Sequence, residues 1–96
     1  MRKITEQAVA AFMGGYKFSS SNTMVTVDED GVVEMLLHGN LIARKEFNVI
    51  SITNAGWSSN VTKERLNGLP GVSIYQKNWT WYLNDKEWDG SWEVVA

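Results

Sequence analysis

Apolar and polar positions follow a helical spacing at the start of the chain, and from residue 23 the period changes to short runs typical of strands. Between residues 4 and 13 the apolar residues recur on one helix face. Thr5 can cap the start of this helix, and Gly14-Gly15 is typical of a helix end. The polar run Ser19–Asn22 predicts a loop before the first strand.

Four short strands joined by tight turns are predicted between residues 23 and 54. The strand segments are Met24–Val27, Val32–Leu37, Leu41–Glu46 and Val49–Thr53. Asp28–Gly31, Gly39-Asn40 and Asn48 supply the turn residues between them. Because short connections force neighbouring strands to run antiparallel, these segments predict an antiparallel meander.

A second helix and a terminal hairpin follow the break at Gly56. The helix is predicted over residues 61–67, with Gly68 and Pro70-Gly71 stopping it. A tryptophan-rich hairpin is predicted within residues 72–92, with its turn at Lys77-Asn78. The order is therefore α-ββββ-α-ββ, and residues 1–96 are expected to form one small α+β domain with a mostly antiparallel sheet.

Composition limits the class of protein without assigning a function. The 96 residues are 44% hydrophobic and contain no cysteine, which excludes disulfides, thiolate metal sites and cysteine nucleophiles. Neither a long apolar run nor the apolar core of a signal peptide is present, so we expect a cytoplasmic chain that does not enter a membrane. A net charge of −2 argues against a general nucleic-acid binder.

Candidate catalytic and metal-binding groups are few. His38 could act as a general base or a pH-sensitive contact, but at the end of a strand it is better explained as a turn residue. Asp28-Glu29-Asp30 lacks the spacing of a calcium loop, and Asp85, Glu87 and Asp89 are expected to be solvated. With no glycine-rich phosphate loop either, we predict no catalytic site, no metal, no cofactor and no enzyme activity.

Tryptophan is the one unusual feature of the composition. Four of the five tryptophans fall within residues 79–96, at Trp79, Trp81, Trp88 and Trp92. They could form the hydrophobic floor of a short sheet, which is the interpretation we favour. The alternative is that one or two of them are exposed as an interaction surface.

The strongest candidate site is Trp57 with the helix that follows it. An aromatic side chain beside a helix N-terminus, with Lys63 and Arg65 on the helix, could hold a nucleotide base, a phosphate or an acidic partner segment. Alternatively, Trp57 fills the gap between helix and sheet, and the basic residues are a solvated helix face. Arg44, Lys45 and Lys77 could extend the surface if the sheet places them on the same side. The candidate binding residues are Trp57, Lys63, Arg65, Lys77, Trp79 and Trp81.

A string of short motifs between Asn22 and Gly90 resembles a family of short bacteriophage and prophage proteins. The motifs are His38-Gly39-Asn40 with Ile42-Ala43, Ala55-Gly56-Trp57, Thr62–Asn67, Leu69–Val72, Gln76-Lys77-Asn78, Tyr82-Leu83-Asn84 and Glu87–Gly90. The resemblance implies a viral origin and a place in the host cytoplasm. It implies no particular activity, and no functional residue carries over.

Three functions fit these observations. The leading hypothesis is a non-enzymatic phage accessory protein that binds a macromolecule and modulates a host protein. The second is a nucleic-acid-binding module that uses tryptophan stacking and Lys or Arg contacts to phosphate. The third is a structural or virion-associated protein. A protein partner or self-association, including a homodimer, is expected ahead of a small-molecule ligand.

Overall fold

An N-terminal helix and a large antiparallel sheet make up the first half of the molecule. The computed structural model describes residues 3–56 and 59–95, in which α1 spans Lys3–Gly14 and α2 spans Asn60–Asn67. The strands of the described residues are β1 (Phe18–Ser20), β2 (Thr23–Val27), β3 (Val33–Leu37), β4 (Asn40–Glu46), β5 (Val49–Ile52), β6 (Ile74–Lys77), β7 (Thr80–Leu83), β8 (Lys86–Glu87) and β9 (Glu93–Val94).

Six of these strands form one sheet in the order β1-β2-β3-β4-β5-β9, with every neighbouring pair antiparallel. The predicted α+β class and its antiparallel meander are confirmed. The loop predicted at Ser19–Asn22 is partly wrong, because Phe18–Ser20 pairs with β2 and the chain turns at Ser21 (φ 52°). This edge strand is mostly exposed, so its sequence carries no apolar alternation.

The remaining strands form a second sheet in the order β6-β7-β8. The predicted terminal hairpin thus has a third strand, β8. After it the chain returns to the large sheet, where Glu93–Val94 pairs with β5. The turn of the hairpin lies at Asn78-Trp79, one residue later than predicted, since Lys77 pairs with Thr80 as the last residue of β6.

The core lies between the large sheet and a layer formed by the two helices and the small sheet. On α1, Ala8, Ala11 and Phe12 are fully buried against β2 and β3. A register shift between Met35 and Leu36 interrupts the pairing of β3 with β4. Opposite this irregularity, the consecutive residues Ile42 and Ala43 are both buried, whereas a regular strand would bury alternate residues.

The C-terminal segment is fastened to the large sheet through Gly90. The carbonyl oxygen of Gly90 accepts hydrogen bonds from the Thr53 hydroxyl (2.5 Å) and from the Asn54 backbone N–H (3.0 Å). Gly90 has a φ of +88°, and the Asn54 side chain occupies the space that a Cβ would need. Glycine is therefore required at this position by both conformation and packing.

Candidate functional site

Arg65 lies in the interior, not on the solvated face of α2 that the sequence predicted. Its side chain is 1% exposed, which corrects that prediction. The guanidinium donates to Thr5 Oγ1 at 2.6 Å and to Thr23 Oγ1 at 3.0 Å. It also forms an ion pair with Glu64 at 2.9 Å. These contacts join α1, β2 and α2, so Arg65 holds elements together instead of facing a ligand.

Trp81 and Trp88 form the aromatic floor of the small sheet. Each is 7% exposed, and their ring centroids lie 6.2 Å apart. The Lys63 ammonium lies 5.5 Å from the centroid of the Trp81 ring, a cation–π distance. Burial of the Trp81 indole leaves no face open for a nucleotide base. The Lys63 side chain, on α2, therefore forms a cation–π contact with the indole of Trp81.

Trp79 is the opposite case, since it stands at the tip of the β6–β7 hairpin and is 93% exposed. Asn78 and Trp79 have φ values of +52° and +68°, the pattern of a two-residue type I′ turn. The second position of that turn strongly favours glycine, and a side chain held in this conformation costs roughly 1–2 kcal/mol. The hairpin therefore presents an indole to solvent at the expense of its own stability.

Lys77 and Trp79 adjoin a sheet face that carries two tyrosines and several carboxylates. Paired residues share a face, so Tyr75, Tyr82 and Glu87 lie in one row across the three strands. The tyrosine rings stack at 5.2 Å with 12° between their planes. The Tyr75 hydroxyl donates to Asp85 Oδ1 at 3.1 Å. Partial burial, followed by this hydrogen bond and the charge of Asp85, raises the pKa of Tyr75 above 10.0.

A shallow groove continues this face past β8. Its volume is about 380 Å³, and it is lined by Thr80, Glu87, Trp88, Asp89, Ser91 and Glu93. The three carboxylates of the groove are exposed. Hydrogen bonds from Ser91 lower the pKa of Asp89, so this group is ionised at neutral pH. The tyrosine row, the neighbouring Asp85 and the two groove carboxylates in or next to β8 form what we call the acidic face: Tyr75, Tyr82, Asp85, Glu87 and Asp89. Glu93, the third groove carboxylate, belongs to β9 of the large sheet and is not counted in it.

Trp57 lies outside the described residues, but the residues around it border a cleft. The cleft has a volume of about 230 Å³ and lies between the β3–β4 turn and the start of α2, with Leu37, Ile42 and Val61 among its walls. One of its polar groups, Ser59 Oγ, accepts from the Thr62 backbone N–H at 3.1 Å as the cap of α2. The cleft is therefore a mainly apolar space.

His38 occupies the β3–β4 turn, as the structural interpretation predicted. It is exposed with a φ of +52°, and its backbone N–H donates to the carbonyl oxygen of Asn22 at 2.8 Å. Asp28 is likewise a turn residue, since its Oδ1 accepts from the backbone N–H groups of Asp30 and Val32, both at 2.9 Å. Within residues 3–56 and 59–95, no group of three acidic, His or Cys residues could hold a metal ion.

Arg44 and Lys45 do not extend a basic surface beside α2. Arg44 lies on the open face of the large sheet, 3.2 Å from the Glu46 carboxylate. Lys45 Nζ donates to the carbonyl oxygen of Met13 at the end of α1, at 2.8 Å. Phe47, which sequence reasoning missed, is 86% exposed with a φ of +50° at the β4–β5 turn. The sequence signal was its position beside the turn residue Asn48.

These features define a small α+β protein that presents aromatic side chains at its hairpin tips and a carboxylate-rich sheet face beside one of them. A comparison with protein families identifies it more closely. The chain matches the model of the Kyanoviridae Gp96 protein family over residues 1–94 and belongs to that family of phage proteins. The match includes the N-terminal helix, which lay outside the motifs recognised in the sequence.

Two other comparisons gave no match. Neither a curated protein nor a solved structure is significantly similar to this chain. Neither helix of the described residues is long and apolar enough to cross a membrane.

Proposed function

We propose that this member of the Kyanoviridae Gp96 protein family is a non-enzymatic accessory protein that binds and modulates a host protein in the host cytoplasm. The observation that carries the proposal is Trp79, an indole 93% exposed in a backbone conformation that disfavours it. Strained, exposed residues of this kind concentrate at functional sites. Tryptophan is also among the residues that most often dominate the energy of a protein interface.

Charge supports a protein partner over a nucleic acid. Lys77 and Trp79 could contact a phosphate and stack on a base, which is the specific feature in favour of nucleic acid. However, Arg65 and Trp81 are buried, and the carboxylates of the acidic face lie on the same small sheet. Phosphates would meet repulsion there. A nucleic-acid-binding function would therefore have to rest on a single exposed hairpin tip.

Site-specific photocrosslinking tests the proposal in infected cells. A benzophenone amino acid is placed at position 79 in one variant and at Glu29, an exposed residue of the β2–β3 turn without positive φ, in a control variant. We expect one host protein to be crosslinked from position 79 and not from position 29. With that protein purified, Trp79→Ala should weaken binding by about 30-fold or more, as removal of an anchor residue does.

Other outcomes separate the alternatives. If only copies of this chain or virion proteins are crosslinked from position 79, the structural function replaces the accessory one. Titration with single-stranded oligonucleotides at low salt should leave tryptophan fluorescence unchanged. Quenching that disappears in Trp79→Phe would favour the nucleic-acid-binding function and contradict the proposal.

A further inference from the structure

The small sheet turns one side toward the core and leaves the other uncovered. On the inner side Ile74, Trp81 and Leu83 are buried. On the outer side the row of Tyr75, Tyr82 and Glu87 carries partly exposed side chains. This outer side belongs to the acidic face. Its small area and its excess negative charge restrict the kind of partner that can bind there.

The area of the acidic face is too small for a stable interface with a second copy. The three strands of the small sheet, about 4.8 Å apart and four, four and two residues long, give its outer side a surface on the order of 200 Å². A standard interface needs roughly 800 Å² from each partner. A short segment of another protein fits this area better than a second folded domain does.

The charges of the acidic face select the chemistry of that segment. Among the described residues on this side of the sheet, Asp85, Glu87 and Asp89 are opposed only by Lys77, at the far end of β6. Lys86 pairs with the inward-facing Leu83 and lies beside Glu87 and Glu93 in a neighbouring groove, so it offsets only part of this charge. The excess negative charge therefore complements a basic segment.

The aromatic rings favour arginine within such a segment. A guanidinium group can lie flat on a tyrosine ring while its N–H groups form two parallel hydrogen bonds with a carboxylate. Tyr75 and Asp85 are already in contact through the tyrosine hydroxyl, 3.1 Å from Asp85 Oδ1. A ring and a carboxylate are thus fixed side by side before any ligand arrives.

From this arrangement we infer that the acidic face binds an arginine-containing segment of the partner protein. The inference rests on the proposed function in that it names the chemistry of the bound protein. Trp79 would enter an apolar pocket of the partner, and arginines beside that pocket would lie on Tyr75 and Tyr82 and pair with the carboxylates. The two contacts are separable, because Trp79 belongs to the hairpin tip and the carboxylates to β8 and its flanking turns.

A model peptide tests the inference without the natural partner. The probe is acetyl-Gly-Arg-Gly-Arg-Gly-amide, and the control probe replaces both arginines with citrulline, which has a similar shape without the charge. Binding is followed by chemical-shift changes in ¹H–¹⁵N NMR spectra of the full chain. We expect millimolar binding of the arginine peptide, with shifts confined to the acidic face and weakened by salt.

Matched variants connect the binding to the carboxylates. The double variant Asp85→Asn with Glu87→Gln should weaken binding about 10-fold. A double variant with Glu29→Gln and Asp30→Asn removes the same charge from the exposed β2–β3 turn and should leave binding unchanged. All four residues are exposed, so the variants should fold.

The outcomes distinguish this inference from the proposed function. Trp79→Ala should not alter peptide binding, although it should weaken binding of the crosslinked partner. Equal binding of the citrulline peptide, equal losses in both double variants, or shifts spread over the whole surface would overturn the inference. Shifts of the same residues by single-stranded oligonucleotide would overturn it in favour of a phosphate ligand. The role of Trp79 is tested separately, by the crosslinked partner and by oligonucleotide quenching of tryptophan fluorescence.

Discussion

Replacement of Gly90 by alanine tests how the C-terminal segment is held against the large sheet. Two separate effects should destabilise the variant. The first is the positive φ of +88°, which costs an alanine about 1 kcal/mol. The second is steric, because the new Cβ would overlap the end of the Asn54 side chain. Overpacking of this kind typically costs about 1–3 kcal/mol.

The steric effect also disturbs a hydrogen bond. Asn54 Oδ1 accepts from the Gly56 backbone N–H at 2.8 Å, and a displaced side chain would lose this bond, worth about 1 kcal/mol. We therefore expect Gly90→Ala to lower the free energy of unfolding by about 3–5 kcal/mol. Gly31→Ala is the matched control. Gly31 has a φ of +81° but nothing within 4 Å of its Cβ position, so only the backbone effect of about 1 kcal/mol applies.

Urea unfolding monitored by tryptophan fluorescence and by circular dichroism gives both free energies. A double-mutant cycle with Asn54→Ala isolates the steric contribution, since removal of the Asn54 side chain should reduce the effect of Gly90→Ala to that of the control. If Gly90→Ala and Gly31→Ala destabilise the protein equally, the contact between Gly90 and Asn54 does not constrain the fold and the reasoning fails.

Three further predictions concern stability and ionisation. Trp79→Gly should raise the free energy of unfolding by about 0.5–1 kcal/mol in urea, because glycine relieves the positive φ, while partner binding is lost; a less stable variant would contradict the turn assignment. Arg65→Met should lower the free energy of unfolding by about 3 kcal/mol, since Thr5, Thr23 and Glu64 lose a shared donor. Lys63→Met is the control and should lower it by under about 1 kcal/mol in the same assay. Similar losses in the two variants would refute a buried role for Arg65. Because the pKa of Tyr75 is raised, its protonated form stabilises the folded state fully below pH 10.0, and this stability is lost as pH rises through the folded value. Asp85→Ala should therefore shift the NMR titration of Tyr75 toward its ordinary pKa without reaching it, because burial remains. An unchanged titration would rule out the contribution of Asp85.

The meander was predictable because its signals are local. Short apolar or alternating runs identify β2 to β5, and glycine or asparagine marks each reversal of the chain. The edge strands β1 and β9 were missed because they are three and two residues long and mostly exposed, so neither carries an apolar pattern. Their pairing depends on the neighbouring strand and not on their own composition.

The role of Arg65 was not predictable from local sequence. Its partners Thr23 and Thr5 are 42 and 60 residues away, and each is an ordinary polar residue in its own segment. Only the packing of three elements brings them to one buried point. The position of Trp79 was nearly predictable. The predicted turn at Lys77-Asn78 places Trp79 in a strand, whereas the observed turn, one residue later, places it at the hairpin tip.

The Trp79 side chain gains almost no burial in the described structure. At the β3–β4 turn the chain places glycine in the second positive-φ position, as His38-Gly39 does, and the fold gains the unstrained geometry. A glycine after Asn78 would give the β6–β7 hairpin the same advantage, and nothing in the core would change, because the Trp79 side chain is almost wholly in solvent. The indole is therefore retained against the stability of the hairpin. We propose that a contact with a protein partner offsets this cost, and that the acidic face beside Trp79 binds a basic segment of that partner.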